Sequence, residues 1–182
     1  LIKTNSASLN VYAEIKSLSK FFGENMLAQI EQWIDKTNSE YVHQRICCDT
    51  FASEFAGFYP HEFLKTAFYV VVEHIPKPDF AGLREIGLSD FIDMDVAGIT
   101  YKNTYYILPH VARNLRVHFH ELAHVVQWRE LGAHAFIMRY INEIQTCGYD
   151  DAPLEKMAYA LDAHFTSNGN KFNIPDYITQ QL

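Results

Sequence analysis

The sequence predicts a single α+β domain over residues 1–182, and three observations carry that prediction. Apolar residues recur at helical spacing in both the early and late parts of the chain, as in Phe22, Met26, Ile30, Trp33 and Ile34. Short β-branched and aromatic runs lie between them, bounded by prolines and by a two-residue turn. The chain of 182 residues is 48% hydrophobic and 20% charged, enough apolar surface to close one core. No boundary divides it. A helical N-terminal part is expected over 1–60 and the core of the domain over 67–165.

Taken in order, residues 1–16 read as an extended lead-in, and Ser17 or Ser19 caps a first helix over 18–36. A weaker helical stretch covers 41–56 and ends near Gly57, and Pro60 opens a short helical turn. The run from Ala67 to Ile75 is β-branched and aromatic and stops at Pro76 and Pro78, as a strand does. A polar loop with Gly82 and Gly87 follows. Val96–Tyr101 and Thr104–Leu108, joined by Lys102-Asn103, read as a β-hairpin, so the sheet is expected to be small and mostly antiparallel. Three helices close the chain: Ala112 to Leu131, stopped by Gly132, then 133–146, then Pro153 to Phe165, with proline at a favoured first position.

A formal net charge of −7 argues against a nucleic-acid backbone or an anionic membrane as the main partner. The longest apolar run, Ala67–Val72, is far too short to span a bilayer. Cys47, Cys48 and Cys147 have neither disulfide-framework nor Cys-x-x-Cys spacing and read as small buried thiols. With no basic-then-apolar segment at the N-terminus, a cytoplasmic location is expected.

Nine histidines are many for this length, and five of them lie between His110 and His134. Among these is His120-Glu121-Leu122-Ala123-His124, an H-E-x-x-H motif. On a helix, His120 and His124 are 40° apart around the axis and one turn apart along it, so both imidazoles can reach one metal ion. Glu121 sits beside them, able to touch a water on that metal without being a ligand. Zinc held in this way keeps an open position and lowers the pKa of its water toward about 7, with Glu121 as general base. The apolar neighbours Val117, Phe119, Leu122, Val125 and Val126 would leave such polar groups costly without a partner.

Zinc needs a third protein ligand. The extended form H-E-x-x-H-x-x-G-x-x-H is excluded, because positions 127 and 130 are Gln127 and Glu130. A deformylase-like Glu-Gly-Cys segment is absent, since Cys47 and Cys48 follow Arg45-Ile46. Glu155 and Glu143 remain. Glu155 is preferred because it opens the last helix after the Tyr149-Asp-Asp-Ala loop, which leaves that helix free to be aimed, and because the small Ala158 permits close packing on the motif helix.

His120-Glu-Leu-Ala-His124-Val-Val-Gln127, followed by Leu154-Glu-Lys-Met-Ala-Tyr159, resembles the gluzincin branch of the zincin superfamily of zinc metallopeptidases and is similar to small bacterial zinc peptidases over residues 67–165. Asn142-Glu143 partly matches the gluzincin Asn-Glu-x-x-Ser-Asp pattern, but Thr146 and Cys147 replace Ser-Asp. The resemblance implies a zincin-like fold with an H-E-x-x-H helix and a C-terminal ligand-bearing helix. It implies Zn²⁺ on His120, His124 and Glu155, Glu121 as catalytic base, and a peptide or protein substrate that pairs with the strand Thr104–Leu108. The alternatives are a zincin-fold binding or scaffold protein that no longer cleaves, and a small-molecule amidase. Tyr159, Tyr149, His110 and His134 are the candidates for stabilising a transition state. His118 points about 160° away from His120 and reads as a satisfied structural histidine, and Trp128 and Phe119 read as core.

Overall fold

The structure, a computed structural model, describes residues 25–182. The expected lead-in, the Ser17 or Ser19 cap and the start of the first helix lie outside the described residues. Helix α1 runs over 25–40 and buries Leu27, Ile30 and Ile34 at i, i+3 and i+7. Near its end Asn38 donates from Nδ2 to the Tyr101 carbonyl (3.1 Å) and accepts at Oδ1 from the Tyr106 hydroxyl (2.7 Å). Those two bonds tie α1 to the sheet.

The stretch 41–56 is not the expected helix, so 1–60 is not a wholly helical part. It forms a 3₁₀ turn at Val42–Gln44, a short strand β1 (Ile46–Cys47) and a second 3₁₀ turn at Cys48–Phe51. Pairing overrides its weak periodicity: Ile46 and Cys47 stand opposite Tyr69 and Phe68 in antiparallel register, and the Cys48 N–H donates to the Ala67 carbonyl. Of the cysteines only Cys48 is buried; Cys147, in the last turn of its helix, is exposed. After Pro60 come α2 (His61–Leu64) and β2 (Phe68–Val71).

The expected polar loop around Gly82 and Gly87 is helical. It comprises α3 (Ala81–Leu83), a π-helical turn (Arg84–Leu88) and α4 (Ser89–Asp93), with Gly87 at φ 89° inside the kink. Leu83 and Leu88 anchor it in the core. Arg84 bridges Asp79 (2.6 Å) and Asp93 (2.8 Å), and Lys77 Nζ donates to the carbonyls of Phe91, Ile92 and Met94. These are tertiary supports that no local pattern announces.

β3 (Gly98–Tyr101) and β4 (Thr104–Ile107) form the expected hairpin, with Lys102 at φ 60° in its turn. The sheet is mixed, in the order β1-β2-β4-β3: β1–β2 and β3–β4 are antiparallel and β2–β4 is parallel. β4 is therefore paired along both sides and has no edge to offer a peptide, contrary to the role implied for Thr104–Leu108. The edge strands are β1 and β3, and β3 is the one that packs on α5.

Helix α5 (Leu115–Leu131) is capped by Asn114, whose side chain accepts from the Arg116 N–H, and is ended by Gly132 at φ 75°. Every residue from His118 to Trp128 is buried, so this is a central helix wrapped on all sides, not an amphipathic surface one. α6 (Ala133–Cys147) and α7 (Pro153–Thr166) follow as expected. A further helix, α8 (Ile174–Gln181), lies beyond the last one expected; Asn173 caps it by accepting from the Asp176 N–H. Its signal, Asn173-Ile-Pro-Asp, is a cap with proline in the first turn, but only Ile174 and Ile178 carry the apolar spacing. Among the described residues no helix is long and apolar enough to cross a membrane.

On one side of α5 an aromatic core gathers Phe55, Phe58, Tyr59, Phe119 and Phe165, with Phe119 and Phe165 stacked at 4.4 Å. A second core joins α1, β3, α6 and the 81–93 segment around Trp128, Phe136 and Ile137. Replacing Phe119, which is fully buried, should expose the dependence of α5 on this packing. Phe119→Ala is expected to lower unfolding stability by about 3–5 kcal/mol, read from urea denaturation as a lower midpoint at unchanged m-value.

Candidate metal centre

The two motif histidines stand one turn apart on α5, and α7 brings Glu155 from its first turn against them. His120 Nε2 lies 3.1 Å from His124 Nε2 and 3.3 Å from Glu155 Oε2, and His124 Nε2 lies 3.4 Å from Glu155 Oε1. Ligands about 2.0–2.1 Å from one tetrahedral ion sit roughly 3.3 Å from each other, so the three groups already have the mutual spacing of a metal's ligands. All three residues are buried, and their ligand atoms form the group that could hold a metal ion.

The hydrogen bonds behind the histidines set their tautomers. Gln127 donates from Nε2 to the Leu154 carbonyl (3.0 Å), which fixes its amide orientation, and its Oε1 accepts from His124 Nδ1 (2.8 Å). Asp162 accepts from His120 Nδ1 (3.1 Å) with one oxygen and from Arg116 Nε (2.8 Å) with the other. In the neutral imidazoles both Nε2 lone pairs therefore face the Glu155 carboxylate. Glu155 Oε1 accepts from the Tyr140 hydroxyl at 2.6 Å, while its buried Oε2 has no hydrogen-bond partner. Such an arrangement of acceptors is costly unless a cation joins them, and the donor set of two imidazoles and a carboxylate could hold a metal ion.

The titration behaviour points the same way. Burial works to lower His120, but the Asp162 and Glu155 carboxylates outweigh it and hold the imidazole up to about 10. His124 is raised too, burial being overcome by Glu155. Burial pushes Glu155 upward, yet the two imidazoles hold it well below the ordinary carboxylate range. The pocket demands positive charge, and a proton fills that demand when no metal does.

Glu121 is buried on the adjoining side of α5, against β3. Thr100 donates its hydroxyl to Glu121 Oε2 at 2.6 Å, and a Cβ added at Gly98 would clash with Glu121 Oε1. Glycine at 98 is thus what lets the strand approach this carboxylate. Burial raises the Glu121 pKa against the opposing pull of His120, His124 and Thr100, the direction a general base needs.

Glu143 is not brought to the histidines. Its Oε1 accepts from Arg139 Nε and its Oε2 from the Leu154 N–H, both at 2.8 Å, so it caps the start of α7 in place of an N-cap side chain. Tyr159 lies beside the centre, its ring 4.6 Å from that of His120, and Tyr149 lines the adjoining cavity. His110 and His134 are exposed and outside that cavity. His118 is fully buried in the opposite core; it accepts from the Tyr105 hydroxyl at Nδ1 (2.7 Å) and donates from Nε2 to the Ala112 carbonyl (3.0 Å). Sequence reasoning missed Thr100, Gln127, Tyr140 and Asp162. Asp162 follows Glu155 by seven residues, two helical turns along the same face of α7, and that spacing was its available signal.

Compared with known proteins, the chain matches no family model, no curated protein and no solved structure.

Two outcomes follow from the geometry. Glu155→Ala should abolish stoichiometric metal binding and Asp162→Ala should weaken it about 10–100-fold, whereas Glu143→Ala should keep one metal per chain and lose only stability, as read by equilibrium dialysis and metal analysis. In the metal-free protein, stability from the raised His120 pKa is full below its ordinary value of 6.5 and is lost as pH rises through about 10. Metal must displace that proton. Its apparent affinity should rise about tenfold per pH unit for each proton released, measured by competition with a chelator between pH 6 and 8.

Proposed function

We propose that the chain is a zinc-dependent peptidase with a zincin-like, gluzincin-type site, in which His120, His124 and Glu155 hold the metal and Glu121 is the general base. The observation that carries this reading is the convergence of two Nε2 lone pairs and the unpartnered Glu155 Oε2, with a buried, upward-shifted carboxylate beside them. Zinc in a site of two imidazoles and a carboxylate activates water at neutral pH and polarises a carbonyl.

The chain's own groups divide the remaining work. Asp162 and Gln127 keep the two Nδ1 atoms protonated and both rings aimed. Thr100 occupies Glu121 Oε2, which assigns Oε1 to take a proton from the attacking water and pass it to the leaving amine. Tyr159, at the mouth of the site and 38% exposed, is placed to donate to a developing oxyanion.

A peptide substrate is favoured by β3. The Ala97 carbonyl accepts from the Leu108 N–H, so Ala97, Ile99 and Tyr101 bond toward β4 in the alternating ladder. The backbone groups of Gly98 and Thr100 then face the outer edge; Trp128 Nε1 takes the Thr100 carbonyl (3.0 Å), and Gly98, next to Glu121, is left for an extended segment to pair with.

Glu121→Gln should retain one zinc per chain and reduce chelator-sensitive cleavage of an unfolded protein mixture by roughly 10²–10⁴-fold. Loss of zinc in that variant would overturn the role given to Glu121. Zinc retention in the parent chain without any cleavage would favour the binding-protein reading instead.

A further inference from the structure

Adjoining the metal-binding group is a cavity of about 80 Å³. Glu121, His124 and Glu155, with Thr100, form one part of its wall, and the rest is mainly apolar or aromatic: Ile34 of α1, Leu83, Leu88 and Phe91 of the 81–93 segment, and Phe136 and Ile141 of α6. Among its described wall residues there is no Lys, Arg or Asp, and no Glu besides the two of the site. A charged group entering it would lose its hydration without gaining a counter-ion beyond the centre itself, while an apolar group would be transferred out of water.

The walls are built in advance of any ligand. Phe136 is stacked on Trp128 (4.0 Å) and on Tyr140 (5.5 Å), so the α6 side is held by an aromatic stack whose last member also bonds Glu155. The 81–93 side is clamped by Arg84 on Asp79 and Asp93, by Lys77 on the carbonyls ending α4, and by Gln145 Nε2 on the Ile86 carbonyl (2.6 Å). A water takes about 30 Å³ in the liquid, so the space matches about three such volumes, close to three methylene groups, the bulk of an aliphatic side chain such as Val or Leu.

We propose that this cavity is the specificity pocket of the site and takes an uncharged aliphatic group of that size, carried next to the carbonyl that the centre attacks. The proposal rests on the metal-dependent reading above. Substrates are thereby limited to chains with a Leu-like group flanking the cleaved bond, and those with Lys, Arg, Asp or Glu there are rejected.

Alkyl hydroxamic acids test it without turnover, because their head group binds a metal and their tail is free to enter the cavity. The protein is loaded with Co²⁺, metal content is measured, and dissociation constants are read from the visible spectrum for aceto-, propiono-, butano-, pentano- and hexanohydroxamate. A hydroxamate of similar length with a carboxylate tip serves as the charged match. Affinity is expected to rise about fourfold per methylene over the first three and then level off, and the carboxylate-tipped compound should bind no better than acetohydroxamate. Ile34→Phe and Ile141→Phe, on different helices, should each erase at least tenfold of the long-chain advantage at one metal per chain. If Co²⁺ binds and acetohydroxamate shifts the spectrum but affinity is indifferent to tail length or tip charge, the pocket assignment is wrong and the metal centre stands. If no Co²⁺ binds, the metal-dependent reading falls and takes the pocket's role with it.

Discussion

Three buried acceptors forced together at one point organise this molecule. Two imidazole lone pairs and a carboxylate lie within 3.1–3.4 Å of each other, an arrangement that repels itself until a cation joins it. Much of the surrounding structure holds that arrangement in place. Asp162 and Arg116 fix one imidazole, Gln127 and the Leu154 carbonyl fix the other, and Tyr140 fixes the carboxylate. Glu143 caps the helix that carries Glu155 by accepting from the Leu154 N–H. Most of these supports meet at the start of α7 or on its inward face.

The fold serves the same constraint on a larger scale. α5 is enclosed on all sides, which removes water from the centre and strengthens each electrostatic interaction there. Enclosure on one side comes from the aromatic core around Phe119, and on the other from α6, α1 and the 81–93 segment. β3 completes it: the absence of a side chain at Gly98 and the hydroxyl of Thr100 hold Glu121 beside the centre. The same closure leaves an apolar hollow next to the charged group, with Glu121, His124 and Glu155 in its wall.

The candidate site was more legible than the fold around it. His120, Glu121 and His124 are local in sequence, and helical geometry alone brings their side chains together. In the sequence, Glu155 differs from Glu143 only in the free aim of its helix and in the small Ala158 that follows it. The deciding fact is that the oxygens of Glu143 accept from Arg139 and the Leu154 N–H; the first is an i,i+4 pair within α6 that its spacing suggests, but the second joins two helices and has no sequence signature. The stretch 41–56 misled because its periodicity is weak and its pairing partner, β2, lies about 20 residues away. The 81–93 segment misled because its helical turns depend on Arg84, Lys77 and two buried leucines, while its glycines suggest a loop.

By itself the sequence determined the α+β class, the long helices with their glycine stops, the β3–β4 hairpin, and a pair of histidines able to share one ion. All of these follow from periodicity, turn chemistry and spacing within one element, which act over a few residues. Only the tertiary structure decided which carboxylate joins the histidines, which strands are edges, which tautomers the imidazoles adopt and where the apolar cavity lies. Those features depend on contacts between elements distant in the chain, where burial and a few directed hydrogen bonds choose among arrangements that local preference leaves equal.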